Sequence, residues 1–241
     1  MTAFGQSIAF ALLAALANII GGYIVTSHKW ARRSLQYFIA LGSGFMLGTV
    51  FLEMFPESLA LTKSAPVLVL LGYGIVHIFE HTFASHLHFG EETHHDELTN
   101  PVVGISALVG MLVHTFFDGV AIGAGFLVSD SSGILIFLAV FLHKIPDGFT
   151  ISSIAITSGR SSRSAMAAAT ALGVSTLVGV LAVHMVGGSV SYALPISTGS
   201  TLYVAATDLM PEVNREKGVK MAFVVFAGMG LFLLLKMIAE H

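Results

Sequence analysis

Residues 101–127 read PVVGISALVGMLVHTFFDGVAIGAGFL, and this stretch decides the fold class. It is 27 residues long, and Asp118 is its one formally charged residue. A helix needs about 20 predominantly apolar residues to cross the hydrocarbon core of a bilayer. The stretch therefore predicts a transmembrane helix that carries a polar pair, His114 and Asp118, near its middle.

Seven further apolar stretches of similar length lie along the chain. Of the 241 residues, 55% are hydrophobic and 10% are charged, whereas soluble domains are typically about a quarter charged. The sequence therefore predicts an all-α polytopic membrane protein, with a single transmembrane domain over residues 1–241. The eight predicted spans are 4–26, 35–55, 66–85, 101–127, 133–157, 164–187, 192–211 and 219–238.

The composition excludes several classes of function. Eleven Lys and Arg against fourteen Asp and Glu leave no basic face for a nucleic acid. The chain has no cysteine, which excludes a disulfide framework and thiolate chemistry. Few residues remain between the spans, so we expect no separate extramembrane domain.

The distribution of Lys and Arg predicts the orientation, because cytoplasmic loops are enriched in these residues. Lys63 and Lys236 fall on one side of the membrane, and eight others fall on the opposite side. We therefore expect a multi-pass protein of the cell membrane with both termini outside. The eight cytoplasmic residues are Lys29, Arg32, Arg33, Arg160, Arg163, Arg215, Lys217 and Lys220.

Spans 2 and 7 share a sequence pattern. Residues 43–57 (SGFMLGTVFLEMFPE) align with residues 198–212 (TGSTLYVAATDLMPE) at a constant offset of 155, and both end in acid-x-x-Pro-Glu. The predicted topology makes the two spans antiparallel. A repeat on antiparallel spans is an inverted repeat, which is typical of transporters.

Spans 4 and 5 share a second pattern, HTFFDG at residues 114–119 and HKIPDG at residues 143–148. In each motif His and Asp are four residues apart, so a helix places them on one face. Both motifs lie near the middle of a span, where a charged residue costs about 2.5–3.5 kcal/mol on insertion scales. Gly119 and Gly148 follow the two acids, where they either permit close helix packing or leave open volume.

Two antiparallel helices with such pairs can bring two imidazoles and two carboxylates together at one depth. Zinc accepts His nitrogen and Asp oxygen ligands in tetrahedral sites, and two Asp charges neutralise one divalent ion. The sequence therefore predicts a metal or proton pathway through His114, Asp118, His143 and Asp147.

At these motifs the sequence resembles the ZIP family of metal transporters (Zrt-/Irt-like proteins), in which H-N-x-P-E-G-like and H-x-x-P-E-G motifs on spans 4 and 5 bind the metal. The resemblance implies eight spans, with helices 1–3 and 6–8 forming an inverted repeat around helices 4 and 5. It also implies a homodimer in membrane lipid. Metal uptake into the cytoplasm would proceed by alternating access, in an elevator-like movement of helices 1, 4, 5 and 6 against helices 2, 3, 7 and 8.

The sequence departs from the family at positions that bear on stoichiometry. Both motif acids are Asp, where the family commonly has Glu. Some members hold a second metal, and its ligand positions here are Thr115, Lys144 and Thr176. Two hydroxyls and an ammonium are poor ligands for a second cation. We therefore expect a single metal, with the Lys144 ammonium standing where the charge of the second metal would be.

Polar groups outside the centre suggest a path for the ion. Glu53 and Glu57 at the outer end of span 2 predict an entrance that attracts cations. His77, Glu80 and His81 at the inner end of span 3, with Asp208 on span 7, predict an exit. The segment 86–100 between spans 3 and 4 reads as a cytoplasmic metal-binding tract, and its histidines are His86, His88, His94 and His95.

The predicted function is thus a transporter of divalent cations with zinc as the substrate, and not an enzyme with catalytic residues or a cofactor. Cd²⁺, Fe²⁺, Mn²⁺ and Co²⁺ fit the same ligands. Two alternatives remain open. A metal exporter of the cation-diffusion type uses similar His/Asp pairs, but typically has six spans and a cytoplasmic domain. An intramembrane zinc hydrolase would use the metal to activate water, but the H-E-x-x-H signature is absent.

Overall fold

The computed structural model describes residues 2–27, 32–83, 101–186, 190–214 and 219–239, and these ranges are helical without any strand. Within these ranges, six helices run uninterrupted. Two further helices are built of pieces, with a π-helical segment in the middle of each. The uninterrupted helices are α1 (Ala3–Ser27), α3 (Ala65–Phe83), α4 (Pro101–Val128), α5 (Asp130–Thr157), α6 (Ser162–Met185) and α8 (Val219–Ala239).

The interrupted helices are α2 and α7, which correspond to the predicted spans 2 and 7. Helix α2 consists of Arg32–Thr49, a π-helical segment Val50–Met54, and Phe55–Leu61. Helix α7 consists of Val190–Tyr203, a π-helical segment Val204–Leu209, and Met210–Asn214.

Six stretches of the described helices are long and apolar enough to cross a bilayer. They lie in α1, α2, α4, α5, α6 and α8, and a shorter apolar stretch in α3 covers Ala65–Phe79. Much of the surface of α1, α3 and α8 consists of exposed large hydrophobic side chains, such as Leu16, Leu70 and Phe226. A polytopic all-α membrane protein accounts for this surface, since lipid chains cover it without a hydration cost.

Glycine permits a very close contact between α1 and α5. A Cβ on Gly21 would overlap the carbonyl oxygen of Ile145, and a Cβ on Gly148 would overlap that of Asn18. The same reciprocal arrangement joins α4 to α6, where Gly119 meets the Thr176 carbonyl. Small residues are the usual means by which helix backbones approach each other in a membrane. Of the two roles predicted for the glycines after the motif acids, close packing is therefore the one observed.

Two sets of helices result from this packing. Helices α1, α4, α5 and α6 pack on one another and include both His/Asp motifs; we call them the motif bundle. Outside it, Gly44 and Gly228 bring α2 against α8, and Gly72 and Gly199 bring α3 against α7. Contact between the sets is looser at α2 and α5, where a Cβ on Gly42 would lie 3.6 Å from the carbonyl oxygen of Leu142. This is an ordinary van der Waals distance.

Candidate metal centre

The two predicted motifs meet inside the motif bundle. His114 and Asp118 come from α4, and His143 and Asp147 come from α5; one ligand atom from each lies within 4.8 Å of the other three. No more than 6% of any of these four residues is exposed. The i, i+4 spacing places each pair on one helix face, and the packing of α4 on α5 turns the two faces toward each other.

Two carboxylate oxygens lie between two imidazole nitrogens. Oδ2 of Asp118 is 3.1 Å from Nε2 of His114 and 3.3 Å from Nε2 of His143. Oδ2 of Asp147 is 3.7 Å and 3.9 Å from the same two nitrogens. The four atoms therefore surround one common point, where a single cation can contact all of them.

The backbone fixes the orientation of His143. Its Nδ1 lies 2.9 Å from the carbonyl oxygen of Ala139, one turn earlier in α5. Because a carbonyl oxygen only accepts, Nδ1 carries the proton and donates it. In the neutral ring the lone pair is then on Nε2, which faces the carboxylates. Hydrogen bonds of this kind orient histidine ligands in metal sites.

His114 is buried without a hydrogen bond to any residue that the structure describes. This holds for both Nδ1 and Nε2, although Nε2 is near two carboxylate oxygens. A buried polar atom without a partner costs about 1–3 kcal/mol. A cation at the common point would satisfy Nε2, so this atom supports the indication of a ligand that the convergence of the four ligand atoms gives.

Lys144 supplies the positive charge of the centre. Its side chain is wholly buried, and Nζ contacts Oδ2 of Asp118 and lies 3.4 Å from Oδ2 of Asp147. Two carboxylates buried in the same centre repel each other, and the ammonium of Lys144 offsets that repulsion. The other two positions of the second site hold hydroxyls that already donate within their own helices, Thr115 to the carbonyl of Leu112 and Thr176 to that of Leu172.

The two predicted entrance residues differ in their surroundings. Glu53 is buried; Oε1 accepts a hydrogen bond of 2.6 Å from Ser132, and Oε2 is paired with Lys236. Glu57 is partly buried one turn later. The sequence did not indicate Ser132 or Lys236 as partners of Glu53, because they are distant in the chain and reach it only through the packing of α2, α5 and α8.

The predicted exit is described only in part. Asp208 is buried in the π-helical segment of α7, where Thr207 donates a hydrogen bond of 3.3 Å to it. The ring of His77 contacts that of Tyr203, with centroids 5.8 Å apart. Glu80 and His81 lie in the last turn of α3, and their side chains are not described. The four histidines of the tract 86–100 lie outside the described residues.

Comparisons with known proteins point to one family. The sequence model of the family described as ZIP zinc transporter matches residues 90–236. A zinc transporter of the dog, SLC39A7 from Canis lupus familiaris, is 35% identical over 126 residues, which are 48% of this chain and 27% of that protein. Zinc transporter ZIP13 of Pongo abelii is 28% identical over 198 residues, which are 76% of this chain and 60% of that protein.

A third relative is the zinc transporter foi of Drosophila melanogaster, which is 29% identical over 161 residues, or 61% of this chain and 23% of that protein. The chain thus spans about a quarter of the length of SLC39A7, which is 27% covered. The aligned family segment contains α4 and α5 with all four candidate ligands.

Proposed function

The chain belongs to the ZIP family of zinc transporters, and on that premise we propose that it carries Zn²⁺ across the membrane through the centre formed by His114, Asp118, His143 and Asp147. The family match bears out the resemblance seen in the motifs. It favours neither a cation-diffusion exporter nor an intramembrane hydrolase, since the family consists of transporters. Zinc is then the transported substrate, and no cofactor is needed.

The convergence of the four ligand atoms carries this proposal. Two imidazole nitrogens and two carboxylate oxygens form a borderline donor set that suits Zn²⁺, and Cd²⁺, Fe²⁺, Mn²⁺ and Co²⁺ compete for it. The two Asp charges neutralise the ion, which lowers the cost of holding it at the middle of the bilayer. Burial of the four residues supports a site that is closed to both sides.

The centre binds one metal ion. The Lys144 ammonium takes the place of the second cation, because it already contacts the carboxylate of Asp118 and approaches that of Asp147. Thr115 and Thr176 then serve packing and no ligand role. The engagement of both hydroxyls with carbonyls of their own helices supports this assignment.

Transport proceeds by alternating access, in which the motif bundle moves as an elevator against α2, α3, α7 and α8. The glycine-mediated backbone contacts support this division, since they occur inside the motif bundle and in the pairs α2–α8 and α3–α7. An inverted repeat relates helices 1–3 to helices 6–8. Its support is the offset of 155, which brings the π-helical segments Val50–Met54 and Val204–Leu209 into register.

The orientation follows from the Lys and Arg distribution: eight spans lie in the cell membrane with both termini outside, so that uptake is toward the cytoplasm. Glu57 attracts cations at the outer end. Asp208 and the end of α3, with His77, Glu80 and His81, pass the ion to the histidines of segment 86–100. The functional unit is a homodimer surrounded by lipid.

The test is zinc uptake by liposomes that contain the purified protein and a zinc-sensitive dye. We expect saturable Zn²⁺ entry, which His143→Ala and Asp147→Ala abolish. His184→Ala is a matched control, because His184 lies 3.0 Å from Ser7 on α1 and outside the centre. Asp130→Asn, in the first turn of α5, is the control for the lost carboxylate. A folded protein that binds zinc but gives no flux would exclude the transporter function.

A further inference from the structure

Glu53 forms a buried polar network that joins three helices away from the metal centre. It is 4% exposed, and it comes from the π-helical segment of α2. Its two oxygens bind different helices: Oε1 accepts from Ser132 of α5 at 2.6 Å, and Oε2 pairs with Lys236 of α8. We call these three residues the Glu53 network.

The network contacts α5 at its first turn, through Ser132. The Ser132 backbone N–H donates to the hydroxyl of Ser129 at 3.0 Å, which caps the helix, and that hydroxyl lies 3.1 Å from the Ser132 hydroxyl. A carboxylate near a helix N-terminus is stabilised by the helix dipole. The charge of Glu53 is therefore satisfied by two sources, one of which belongs to the motif bundle.

The two contacts of Glu53 differ in which helices they connect. Glu53 and Lys236 lie on α2 and α8, which pack closely through Gly44 and Gly228. Ser132 lies on α5, which carries His143 and Asp147. If the motif bundle moves relative to α2, the bond between Glu53 and Ser132 must break, while the ion pair with Lys236 can persist.

An apolar layer of buried side chains adjoins the network, with Val50 and Met54 on either side of Glu53 in the sequence of α2. Met54 follows Glu53 in α2, and Ile136 is one helical turn beyond Ser132 in α5. Ser132 lies about 16 Å along α5 from His143 at 1.5 Å per residue, and Ile136 of the layer lies between them on this helix. The residues of this layer are Val50, Met54, Val120, Ala121, Ala124, Ile136, Val183 and Leu194.

We propose that Glu53 is a positioning residue that closes the transport path at the end where α4 connects to α5. The hydrogen bond between Glu53 and Ser132 keeps the first turn of α5 against α2, so that the apolar layer excludes water. When this hydrogen bond breaks, the end of the path near the α4–α5 connection opens to water. Lys236 keeps the charge of Glu53 compensated while it is released. This role differs from the cation attraction predicted for Glu53 from the sequence, and it rests on the proposed transport function.

The chain has no cysteine, so a single introduced thiol reports on this seal. Ala124→Cys places a thiol in the apolar layer, where Ala124 is fully buried. Its reaction rate with a cationic methanethiosulfonate reagent is measured on the purified protein in detergent without zinc. We expect Ser132→Ala to accelerate the reaction about tenfold, because hydrogen bonds to charged groups contribute that order of stabilisation to a closed state. Ser132→Thr keeps the hydroxyl, so its thiol at position 124 should react as slowly as that of the Ala124→Cys protein without a second substitution.

Ala155→Cys, near the opposite end of α5, is the control for general loosening. A network that acts only at its own end leaves the rate at this second thiol unchanged. Glu53→Gln should also accelerate the reaction at position 124, because a neutral amide oxygen accepts the hydrogen bond from Ser132 less strongly than a carboxylate does. Ser132→Ala should then accelerate the reaction less in Glu53→Gln than in the protein with Glu53, since both substitutions act on one contact. The proposal would be overturned if Ser132→Ala and Glu53→Gln left the reaction rate at position 124 unchanged. It would also be overturned if they accelerated the reactions at positions 124 and 155 equally. The reaction requires no zinc flux, so a failed uptake assay with a positive labelling result would refute transport alone.

Discussion

At the residue scale, the balance of charge in the centre decides how it behaves with and without metal. Asp118 and Asp147 bring two negative charges to one buried point, and Lys144 brings one positive charge. Lys144 offsets one of these negative charges, and a divalent cation at the common point would neutralise both. In its absence, Lys144 is the charge that keeps the two carboxylates together.

This balance predicts the effect of Lys144→Met, which preserves much of the side-chain volume and removes the charge. Removing one partner of a buried ion pair is strongly destabilising, by about 3–5 kcal/mol, because it leaves uncompensated charge. We expect a lower melting temperature of the metal-free variant in detergent. Zinc restores the compensation, so the rise in melting temperature on zinc addition should be larger in the variant than in the parent.

The matched control for this measurement is Lys220→Met, which removes an exposed lysine near the start of α8. It should leave both the metal-free melting temperature and the zinc-induced rise as in the parent. An equal zinc-induced rise in Lys144→Met and the parent would mean that Lys144 does not compensate the two acids. Binding of two zinc ions per chain by the unsubstituted protein, counted by a calorimetric titration, would contradict the single-metal proposal.

The sequence predicted the members of this centre because helical periodicity decides them. His114 and Asp118, like His143 and Asp147, are one turn apart on spans that the apolar pattern already defines. The environment of Glu53 was beyond such reasoning. Its partner Lys236 is 183 residues away, and nothing in the local pattern indicates that α2 and α8 lie side by side. Burial of Glu53 is a property of tertiary packing.

At the element scale, close helix packing depends on particular glycines. Gly148 follows the motif acid Asp147 and meets the carbonyl oxygen of Asn18, so any side chain there must push α1 away from α5. We expect Gly148→Ala to lower the free energy of unfolding by about 1–3 kcal/mol, the usual cost of overpacking. Thermal unfolding in detergent measures this. Zinc uptake should fall as well, because Asp147 is the neighbouring residue.

The chain offers matched controls for that substitution. Gly74 in α3 and Gly230 in α8 are also helical, and a Cβ on either would meet no atom within 4 Å. At these positions Ala should leave stability unchanged or raise it, because Ala has the higher helix propensity. If Gly148→Ala is as stable as Gly230→Ala, the tight contact of α1 with α5 is not what holds the motif bundle together.

The π-helical segments are elements that the apolar pattern does not predict, although the repeat marks where they lie. Each ends just before the proline of an acid-x-x-Pro-Glu motif, Pro56 in α2 and Pro211 in α7. Proline cannot donate to the carbonyl four residues earlier, and its ring crowds that carbonyl. A wider turn absorbs the misfit, and such turns are frequent at functional sites. The acids Glu53 and Asp208 both lie within these turns.

At the scale of the whole molecule, composition alone was sufficient to predict a polytopic helical membrane protein. The division into two sets of helices was not predictable in this way, because every span has a similar apolar composition and the order of the spans does not state which ones pack together. The two sets also alternate along the chain: α1 packs against α4, α5 and α6, although α2 and α3 lie between them in the sequence. The packing of the described helices and the positions of their glycine contacts reveal the two sets.

The division into two sets predicts that a covalent link between them stops transport. Gly42 of α2 faces Leu142 of α5, and a Cβ on Gly42 would lie 3.9 Å from the Cβ of Leu142. Cβ atoms in disulfides are about 3.5–4.5 Å apart, so Gly42→Cys with Leu142→Cys should form a disulfide upon oxidation. With no native cysteine, this is the one bond that can form within the chain. We expect zinc uptake to cease upon oxidation and to return upon reduction.

Each single-cysteine variant, oxidised in the same way, controls for effects of the oxidant and should keep its uptake. Zinc binding by the oxidised double variant should persist in detergent, because the link crosses the boundary between the sets and leaves the four ligands in place. If the cross-linked protein takes up zinc as fast as the reduced protein, α5 does not move relative to α2 during transport. The ion would then pass through a fixed path, and the elevator movement together with the role of the bond between Glu53 and Ser132 would have to be abandoned.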